Sequence, residues 1–563
     1  MTSNNEPALA THPPARAKWV VWAVAVVLIL AAIPALVRFV STSAAWLDYP
    51  YPRPGSEGLI LYETLLVKNG ADIYAPVTPD RFISGPYPPV YYWLAALVLP
   101  DSLPDFSAPD TVTSIFTPGR IISLLAAVVA ALSVVALVIL ARPRRDKRGL
   151  LAGSVGGLLA GATLLAMPQV MVWATRFRGD MLMIALTALG LVCIAASSRS
   201  VPATTRMWAW LGGGAVLFAI AFYTKQTALA GPIAAALYLF VRNWRIAIKW
   251  CVVMFAAVLV PFALLEIATG NWFYLKMVTY HSLPIRTLTL ERLLQFAFWE
   301  DEWPVILLAL GYLAYAVARL LSDIRGKRPA KASGQAESAP QSSETSTIPF
   351  FLLATLITLP TGAVVGADHN HLLMPGLAVA AGVGALAAYL LGRLTSEEVE
   401  VLAGYARRGG GANGFYSVGA LATVLLASYF LLTSEPSSWY NPDLQMPSTQ
   451  QQEQLRKVVE NVHENPGTVF FSDDPGVLAL AGKITPYDDP FTMAALAPQN
   501  RWDETSFRDQ LRAGKFALLI LSCDVTTENS CRGDTFTPGV LDAIRDGYDL
   551  LFRDVLFTYA PKK

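Results

Sequence analysis

The chain has 563 residues, of which 54% are hydrophobic and 15% are charged, and its mean hydropathy is +0.43. Soluble globular domains carry about 25% charged residues, so this composition excludes a soluble protein and predicts a polytopic membrane protein. The formal net charge of +1 gives no electrostatic basis for binding nucleic acid.

Eleven apolar runs approach the length that an α-helix needs to cross a bilayer. They cover residues 19–40, 119–141, 149–168, 180–197, 207–223, 226–242, 246–268, 303–321, 348–366, 371–392 and 414–432. The run at residues 90–100 is too short to cross and predicts an interfacial or re-entrant helix. We therefore predict an α-helical polytopic membrane protein with about eleven transmembrane helices, within a membrane domain at residues 19–432.

Loop charge predicts the orientation of these spans, because cytoplasmic loops carry an excess of Lys and Arg. With a cytoplasmic tail at residues 1–18, every inside loop is basic or contains a basic cluster: 142–148, 197–206, 242–245, 323–347 and 393–413. Of these, residues 323–347 have the composition of a cytoplasmic linker. The pattern predicts a multi-pass protein of the plasma (inner) membrane, with a cytoplasmic N-terminus and an extracytoplasmic C-terminus.

The composition becomes polar after the last apolar run, and residues 433–563 predict a small extracytoplasmic α/β domain. We expect a helix at residues 448–465 and strands near residues 468–472, 516–522 and 549–557. Cys523 and Cys531 lie eight residues apart in this domain, and we expect them to form a disulfide if it faces an oxidising compartment.

In this orientation, most polar residues of the membrane region fall in joints on the outer side. Charges at membrane depth are costly, so they are candidates for function by default. Aromatic residues and prolines end the stretch from Trp46 to Tyr92, which we interpret as the active-site loop and which lies within the outer catalytic loop, residues 41–118. The candidates are Asp48, Glu57, Tyr87, Tyr91, Arg120, Arg176, Arg178, Asp180, Lys225, Gln226, His281, His369, Asn370 and His371.

Structural alternatives exist for several of these residues. Arg120 and Arg176 could reach the lipid headgroups with their charged ends, and the tyrosines could belong to an interfacial aromatic belt. Asp180 could be a carboxylate favoured by the helix dipole. His369 and His371 do not share a helix face, which disfavours a metal site; no cofactor is predicted, and a divalent metal stays open.

The outer loop contains one well-marked helix. Ser56 is a predicted N-cap, and the helix runs from Glu57 to Lys68 before Asn69-Gly70 ends it. Glu57 would then lie at a helix start, either as a carboxylate stabilised by the dipole or as a general base for a hydroxyl. Asp48, just after the first span, is the competing candidate for the base.

Several sequence motifs resemble one known superfamily. The outer loop contains GADIY and then YPPVYYWL, and the joints ATRFRGDML, FYTKQTALAGP and GADHNHLLMPGLA follow in order. Over residues 19–395 the chain is similar to the GT-C superfamily of lipid-dependent glycosyltransferases. The most similar members are those grouped with the bacterial protein O-mannosyltransferases and the aminoarabinose transferases of lipid A.

This resemblance implies transfer of a sugar from a polyprenyl-phosphate donor to an acceptor hydroxyl at the outer face, with inversion. Glu57 matches the position of the acid, although Ser56 stands where many relatives carry Asp. Arg176, Arg178 and Lys225 match positions near the donor phosphate, and Arg120 is a further phosphate-binding candidate. Tyr87, Tyr91, Asp180, Gln226, His281, His369, Asn370 and His371 are predicted to line the substrate pocket.

The implied partners are the polyprenyl-phosphate sugar, membrane lipids and an acceptor that is a glycan, a lipid or a protein. The main alternative is a transporter or flippase of lipid-linked sugars, which needs polar residues along a path through the membrane and usually has internal repeats. A second alternative is a receptor or scaffold whose outer domain binds a partner. The spans are nearly free of charged residues and the polar clusters favour one side, so the sequence favours the enzyme.

Overall fold

The computed structural model describes residues 15–53, 56–101, 115–142, 146–200, 204–295, 302–326, 346–393, 413–434, 444–527, 530–531 and 535–563. Most of the predicted cytoplasmic tail, most of the linker 323–347 and the loop after residue 393 lie outside this range.

Helices form most of the membrane region. Their bounds are α1 Ala15–Leu47, α2 Glu57–Lys68, α3 Pro89–Val98, α4 Thr117–Ala141, α5 Lys147–Ala166, α6 Pro168–Trp173, α7 Asp180–Ser197, α8 Thr205–Thr224, α9 Ala230–Arg242, α10 Trp244–Ala268, α11 Trp272–Tyr274, α12 Thr287–Gln295, α13 Trp303–Gly326, α14 Ile348–Thr358, α15 Leu373–Arg393 and α16 Asn413–Thr433. A π-helix at Leu275–Thr279 continues α11, and 3-10 turns at Leu359–Ala363 and His369–Leu372 lie between α14 and α15.

The chain is a multi-pass membrane protein by the length and composition of these helices. Eight of the described helices are long and apolar enough to cross a membrane, and shorter apolar helices occur at Pro89–Val98, Ala230–Arg242, Ile348–Ala363 and Val418–Thr433. The eight long helices and the last three short ones coincide with the eleven predicted runs. The remaining short helix, α3, is the one that the sequence predicted to be interfacial.

Helices α5 and α15 form the centre of the bundle. They approach closely at Gly156 and Gly384, where a Cβ on Gly156 would lie 2.3 Å from the carbonyl oxygen of Gly384. Small residues allow such close packing where water cannot drive helix association. Helix α10 lies at the periphery, and its apolar side chains, such as Phe255 at 66% exposure, face outward as expected for contact with lipid.

The predicted bounds of α2 and the N-cap position of Ser56 are confirmed, but the Ser56 side chain does not cap the helix. Ser56 has a positive φ of 71°, and its side chain makes no capping hydrogen bond. The first turn is held instead by the side chain of Glu57, which accepts a hydrogen bond from the backbone N–H of Arg53. A non-glycine residue at positive φ is unusual and costs conformational energy, so the surrounding contacts must hold this turn.

The C-terminal region contains a small sheet flanked by helices. Its helices are α17 Thr449–Glu464, α18 Pro475–Leu480, α19 Pro490–Leu496, α20 Thr505–Arg512 and α21 Pro538–Gly547, and its strands are β1 Phe471–Ser472, β2 Leu519–Leu521, β3 Tyr548–Arg553 and β4 Phe557–Pro561. The strand order is β1-β2-β4-β3, with β1 and β2 parallel and the other pairs antiparallel.

Two predictions for the C-terminal region have different outcomes. The single strand predicted near residues 549–557 is wrong, because the chain turns between β3 and β4 and forms a hairpin there. The cysteine pair is bonded, since Cys523 and Cys531 are joined by a disulfide. The bond ties the segment after β2 to itself across eight residues.

The C-terminal region docks on the outer loop. Helices α2 and α18 touch at Gly58 and Gly476, where a Cβ on Gly476 would lie 2.4 Å from the Cα of Gly58. Beside this contact, the backbone N–H of Phe82 donates to the carbonyl of Pro486 at 2.8 Å, and that of Asp488 donates to the carbonyl of Phe82 at 3.1 Å. The two parts therefore share one packed interface.

Candidate functional site

Glu57 is fully buried in a network of hydrogen bonds. Its Oε1 accepts from Arg120 Nε at 2.9 Å and from the Phe177 backbone N–H at 2.7 Å. Its Oε2 accepts from an Arg120 terminal nitrogen at 2.8 Å and from the Arg53 backbone N–H at 2.9 Å. These four bonds engage each carboxylate oxygen of Glu57 with two donors.

Arg120 is equally engaged. Besides the two bonds to Glu57, its terminal nitrogens donate to the backbone carbonyls of Trp46, Tyr49 and Tyr51. A guanidinium has five N–H donors, and these contacts use all five. Arg120 therefore ties the end of α1 to the start of α2 and has no donor left for a ligand phosphate.

The charge state of Glu57 follows from this environment. Burial by itself opposes ionisation, but the charge and hydrogen bonds of Arg120 and the nearby charge of Arg53 outweigh it, so the pKa of Glu57 lies below its ordinary value. A carboxylate with a lowered pKa and filled oxygens is a poor acceptor for a further proton.

Asp180 stands at the centre of a second cluster, formed by three separate joints. It is the first residue of α7, and its Oδ2 accepts from Arg178 Nε at 3.1 Å. Its Oδ1 accepts from the ammonium of Lys225, at the end of α8, and from the amide of Asn370 at 3.0 Å. The cluster thus joins residues that lie 45 and 190 positions apart in the chain.

Tyr87 covers the cations of this cluster. Its hydroxyl is hydrogen-bonded to Arg178, and its ring centroid lies 5.2 Å from both the Arg178 guanidinium and the Lys225 ammonium. Arg176 and Arg178 also lie over the ring of Trp173, at 4.6 and 4.9 Å. Aromatic faces stabilise cations held away from water. Although burial opposes it, the proximity of Tyr87 and Asp180 raises the pKa of Arg178.

The joint before α15 contributes a further acid that the sequence did not single out, Asp368. Its Oδ1 lies 2.6 Å from Nδ1 of His369. Burial opposes its ionisation, but the hydrogen bond from His369 and the charge of Arg176 lower the pKa of Asp368 well below its ordinary value. The signal that could have found it is the motif GADHNH, which places an acid before three polar residues.

The structure places the remaining predicted residues at different distances from this cluster. Tyr91 is buried, with its hydroxyl donating to the Gly119 carbonyl at 3.3 Å. Gln226 donates to the Pro86 carbonyl at 3.2 Å, beside Tyr87. Asp48 is exposed at the end of α1. His281 lies with its ring 6.4 Å from that of Tyr87, and burial lowers its pKa.

A narrow recess opens on the cluster. Ile60, Tyr87, Tyr91, Tyr92, Gly179, Asp180, Thr224 and Lys225 line it. Its volume of about 10 Å³ is close to the space that one water molecule occupies. The carboxylate of Asp180 and the ammonium of Lys225 therefore share one wall of a cavity, whereas Glu57 does not.

A pair of buried acids lies behind this recess, and sequence reasoning missed it. Glu63 of α2 accepts from the Gly85 backbone N–H at 2.7 Å and from the hydroxyl of Tyr92. Asp488 accepts from the Ser84 backbone N–H at 2.9 Å. Burial raises the pKa of both carboxyl groups, and the charge of Glu63 raises that of Asp488 further.

Lys276, in the π-helix, is the nearby cation. Its ammonium donates to the carbonyls of Ile73 and Ile83, each at 2.7 Å, and burial lowers its pKa to about 8 although Asp488 and Glu63 oppose the change. The sequence signal that could have found Glu63 was an acid on a helix inside the outer loop. Asp488 lies far from Glu63 in the chain. Their pairing exists only in the folded protein.

No metal site is apparent in the part of the chain that the structure describes. Among those residues, no three His, Cys, Asp or Glu side chains are grouped closely enough to hold an ion. Asp180 and Asp368 are both engaged by cationic or imidazole partners.

One protein-family model matches part of the chain. Residues 110–266 match the family model described as dolichyl-phosphate-mannose-protein mannosyltransferase. This segment begins before α4 and ends within α10, so it contains Arg120, Asp180 and Lys225. The comparison with curated protein sequences gave no match.

Solved structures show the same fold at low sequence identity. ArnT from Cupriavidus metallidurans bound to undecaprenyl phosphate has a TM-score of 0.51 at 16% identity, with 97% of this chain and 98% of that chain covered. The archaeal oligosaccharyltransferase AglB from Archaeoglobus fulgidus, in complex with an inhibitory peptide and a dolichol-phosphate, has a TM-score of 0.52 at 13% identity, with coverages of 98% and 75%. An oligosaccharyltransferase structure from the same organism, in complex with Zn and sulfate, has a TM-score of 0.50 at 14% identity, with coverages of 95% and 73%.

These findings confirm the resemblance that the sequence motifs predicted. The chain has the polytopic fold of the GT-C glycosyltransferases ArnT and AglB, with a small sheet domain at its C-terminus, and carries a segment that matches the protein mannosyltransferase family.

Proposed function

We propose that this protein transfers a sugar from a polyprenyl-phosphate donor to an acceptor hydroxyl at the outer face of the membrane, with inversion at the anomeric carbon. The observation that carries the proposal is the cluster in which Asp180 is held between Lys225 and Arg178 on the wall of a recess. ArnT and AglB, which share the fold, were solved with undecaprenyl phosphate and a dolichol-phosphate. These complexes support a lipid phosphate as the donor.

The cations of the cluster suit the leaving group of this reaction. When the bond between the anomeric carbon and the phosphate oxygen breaks, a phosphodiester becomes a monoester and gains negative charge. Fixed cations stabilise charge that develops in the transition state. We assign this role to Lys225, Arg178 and Arg176. The Tyr87 hydroxyl accepts a hydrogen bond from Arg178 and can donate its own proton to the phosphate.

Asp180 is the carboxylate that we assign as the general base. In the structure its charge is balanced by Lys225 and Arg178. A donor phosphate that draws these cations onto itself leaves Asp180 more basic, because its stabilising partners are shared. Asp180 then takes the proton of the acceptor hydroxyl, whose oxygen attacks the anomeric carbon from the face opposite the phosphate, and polyprenyl phosphate leaves.

Glu57 receives a different role from the one that the motif implied. Its four hydrogen bonds to Arg120, Arg53 and Phe177 support a positioning function for the pair Glu57–Arg120. The pair holds the first turn of α2 against the joint that carries Arg176 and Arg178. We therefore assign Glu57 and Arg120 to the architecture of the site.

The decisive experiment is sugar transfer by the purified protein from a radiolabelled polyprenyl-phosphate sugar to candidate acceptors. Asp180→Asn should reduce the rate by about 10²–10⁴-fold, as expected for loss of a general base. Asp549→Asn, at an exposed position in β3, is the matched control and should retain full activity. Transfer that survives in Asp180→Asn but is lost in Asp48→Asn would move the base to the end of α1.

Sidedness is tested separately, because the proposal places the site outside the cell. Single cysteines introduced in the turn between α8 and α9, at residues 226 and 227, should react with an impermeant maleimide added to intact cells. A cysteine in place of Asp146, at the start of α5, should be protected until the membrane is opened. The reverse pattern would place the site in the cytoplasm and refute the proposed donor geometry.

A further inference from the structure

The C-terminal domain carries an open cleft that the site described above does not use. It has a volume of about 400 Å³ and lies between the turn after α19, the start of α20 and the start of α21. Its lining includes the polar side chains of Asn500, Trp502, Asp503, Glu504, Arg508 and Thr537. Its volume is in the range of small-molecule sites, about 300–1,000 Å³.

Two residues that line the cleft each have a buried N–H donor without an acceptor among the described residues. These donors are Nε1 of Trp502 and Nε of Arg508. Buried donors are nearly always hydrogen-bonded in native proteins, so an unpaired donor in a cleft wall indicates that a ligand or solvent supplies the acceptor. Two such donors in one cleft favour a ligand rich in oxygen acceptors.

The position of Arg508 is fixed by its neighbours. Its guanidinium lies against Gly539, where an added Cβ would stand 2.8 Å from Cζ, and a terminal nitrogen lies 3.5 Å from Glu504. Glu504 also accepts from the Thr537 hydroxyl at 2.7 Å. The absence of a side chain at Gly539 therefore makes room for the guanidinium.

The cleft also contains acceptors, and this narrows the class of ligand. Asp503 is exposed and Glu504 is half-buried, so two carboxylates stand beside the two orphan donors. Two carboxylates disfavour a simple anion, and the unpaired donors disfavour an apolar ligand. A sugar fits both requirements, because each of its hydroxyl groups can both donate and accept a hydrogen bond.

Trp502 links the cleft to the outer loop. Its ring is 7% exposed and packs against Phe82, with ring centroids 5.4 Å apart. Phe82 belongs to the segment that continues to Tyr87, which covers the cations of the proposed donor site. A ligand in the cleft would thus be held next to the loop that carries Tyr87.

We propose that this cleft binds a sugar unit of a glycan and holds the acceptor chain of the reaction. The inference deepens the proposed function by naming the acceptor class, and it rests on that function only for this last step. The binding itself rests on the donors and the carboxylates of the residues that line the cleft.

The test is direct binding of sugars to the full-length protein. The protein is held in lipid nanodiscs and not in detergents that have sugar headgroups. Saturation-transfer NMR is then recorded with a panel of hexose and pentose methyl glycosides and their trisaccharides. Trp502→Phe keeps the ring against Phe82 but removes the N–H, and should weaken binding about three- to tenfold. Gly539→Ala should weaken it as well, because the added methyl group displaces Arg508. Arg512→Gln, on the same helix but with its ion pairs at the surface, should bind like the unmodified protein.

The outcomes separate this inference from the proposed reaction. Saccharide binding that is retained in Asp180→Asn and weakened in Trp502→Phe supports the cleft independently of transfer. Failure of the whole panel to bind overturns the inference, and so does equal binding by Trp502→Phe, Gly539→Ala and the unmodified protein. Sulfate that displaces the saccharides would show a simple anion site at Arg508 and would also overturn it.

Discussion

Replacement of Glu57 by Gln separates a structural role for this residue from a catalytic one. The change keeps the shape of the side chain but replaces one carboxylate oxygen with an NH₂ group. That group would face one of the donors that now point at Glu57, either from Arg120 or from the backbone of Arg53 or Phe177. The buried guanidinium of Arg120 would also lose its counter-charge.

The expected cost follows from the burial of both partners. Neither side chain of the Glu57–Arg120 pair is exposed to solvent. Removal of one partner of a buried ion pair costs about 3–5 kcal/mol, because the other charge stays in a medium of low polarity. We therefore expect Glu57→Gln to lower the unfolding temperature by several degrees and to reduce the yield of monodisperse protein.

The assay is thermal unfolding in one detergent, followed by size-exclusion chromatography and then by sugar transfer with the fraction that remains folded. Glu291→Gln, the same change at an exposed position in α12, is the control and should leave the unfolding temperature unchanged. Glu57→Gln with unmodified stability and no transfer would refute this reasoning, because it would place Glu57 in the chemistry.

Three further predictions concern the interface and the cation cluster. A methyl group at residue 58 would lie 1.8 Å from Asp474 Oδ1, so Gly58→Ala should loosen the C-terminal domain and speed its limited proteolysis; an unchanged digestion rate would contradict the close packing of α2 on α18. Because the folded-state pKa values of Glu63 and Asp488 are raised, the stability that they contribute is present below their ordinary pKa values and is lost as the pH rises through the raised ones. Asp488→Asn should flatten that loss in unfolding scans at increasing pH, and an unaltered pH profile would count against the buried pair. Lys225→Ala should weaken binding of undecaprenyl phosphate about tenfold, and the unfolding temperature should fall less than in Glu57→Gln because Asp180 keeps Arg178 and Asn370 as partners; unchanged affinity would refute the assignment of Lys225 to the phosphate.

The sequence predicted the membrane architecture well, for a local physical reason. A helix that crosses lipid must satisfy its own backbone hydrogen bonds and present apolar side chains over its whole length. Each span therefore corresponds to one continuous run of apolar residues in the sequence. The three short helices α9, α14 and α16 were identified in the same way. The bounds of α2 were also readable, because Glu57–Lys68 is followed by Asn69-Gly70, although the capping role of Ser56 was not.

The motifs also predicted which joints carry polar residues. Their order along the chain resembled the GT-C enzymes, and the match of residues 110–266 and the fold of ArnT and AglB agree with it. A motif fixes the position of a residue in the chain but not the partners of its side chain. The environment of each acid could therefore not be read from the sequence.

The sequence by itself determined that this is a helical membrane protein with polar joints and a small C-terminal domain; of the eleven predicted spans, eight are described helices long enough to cross a membrane and three are shorter apolar helices. Only the tertiary structure decided that Glu57 is paired with Arg120, which is 63 residues away, while Asp180 lines a recess with Lys225. The physical reason is that the properties of a carboxylate depend on burial and on the charges beside it, and those neighbours come from distant parts of the chain.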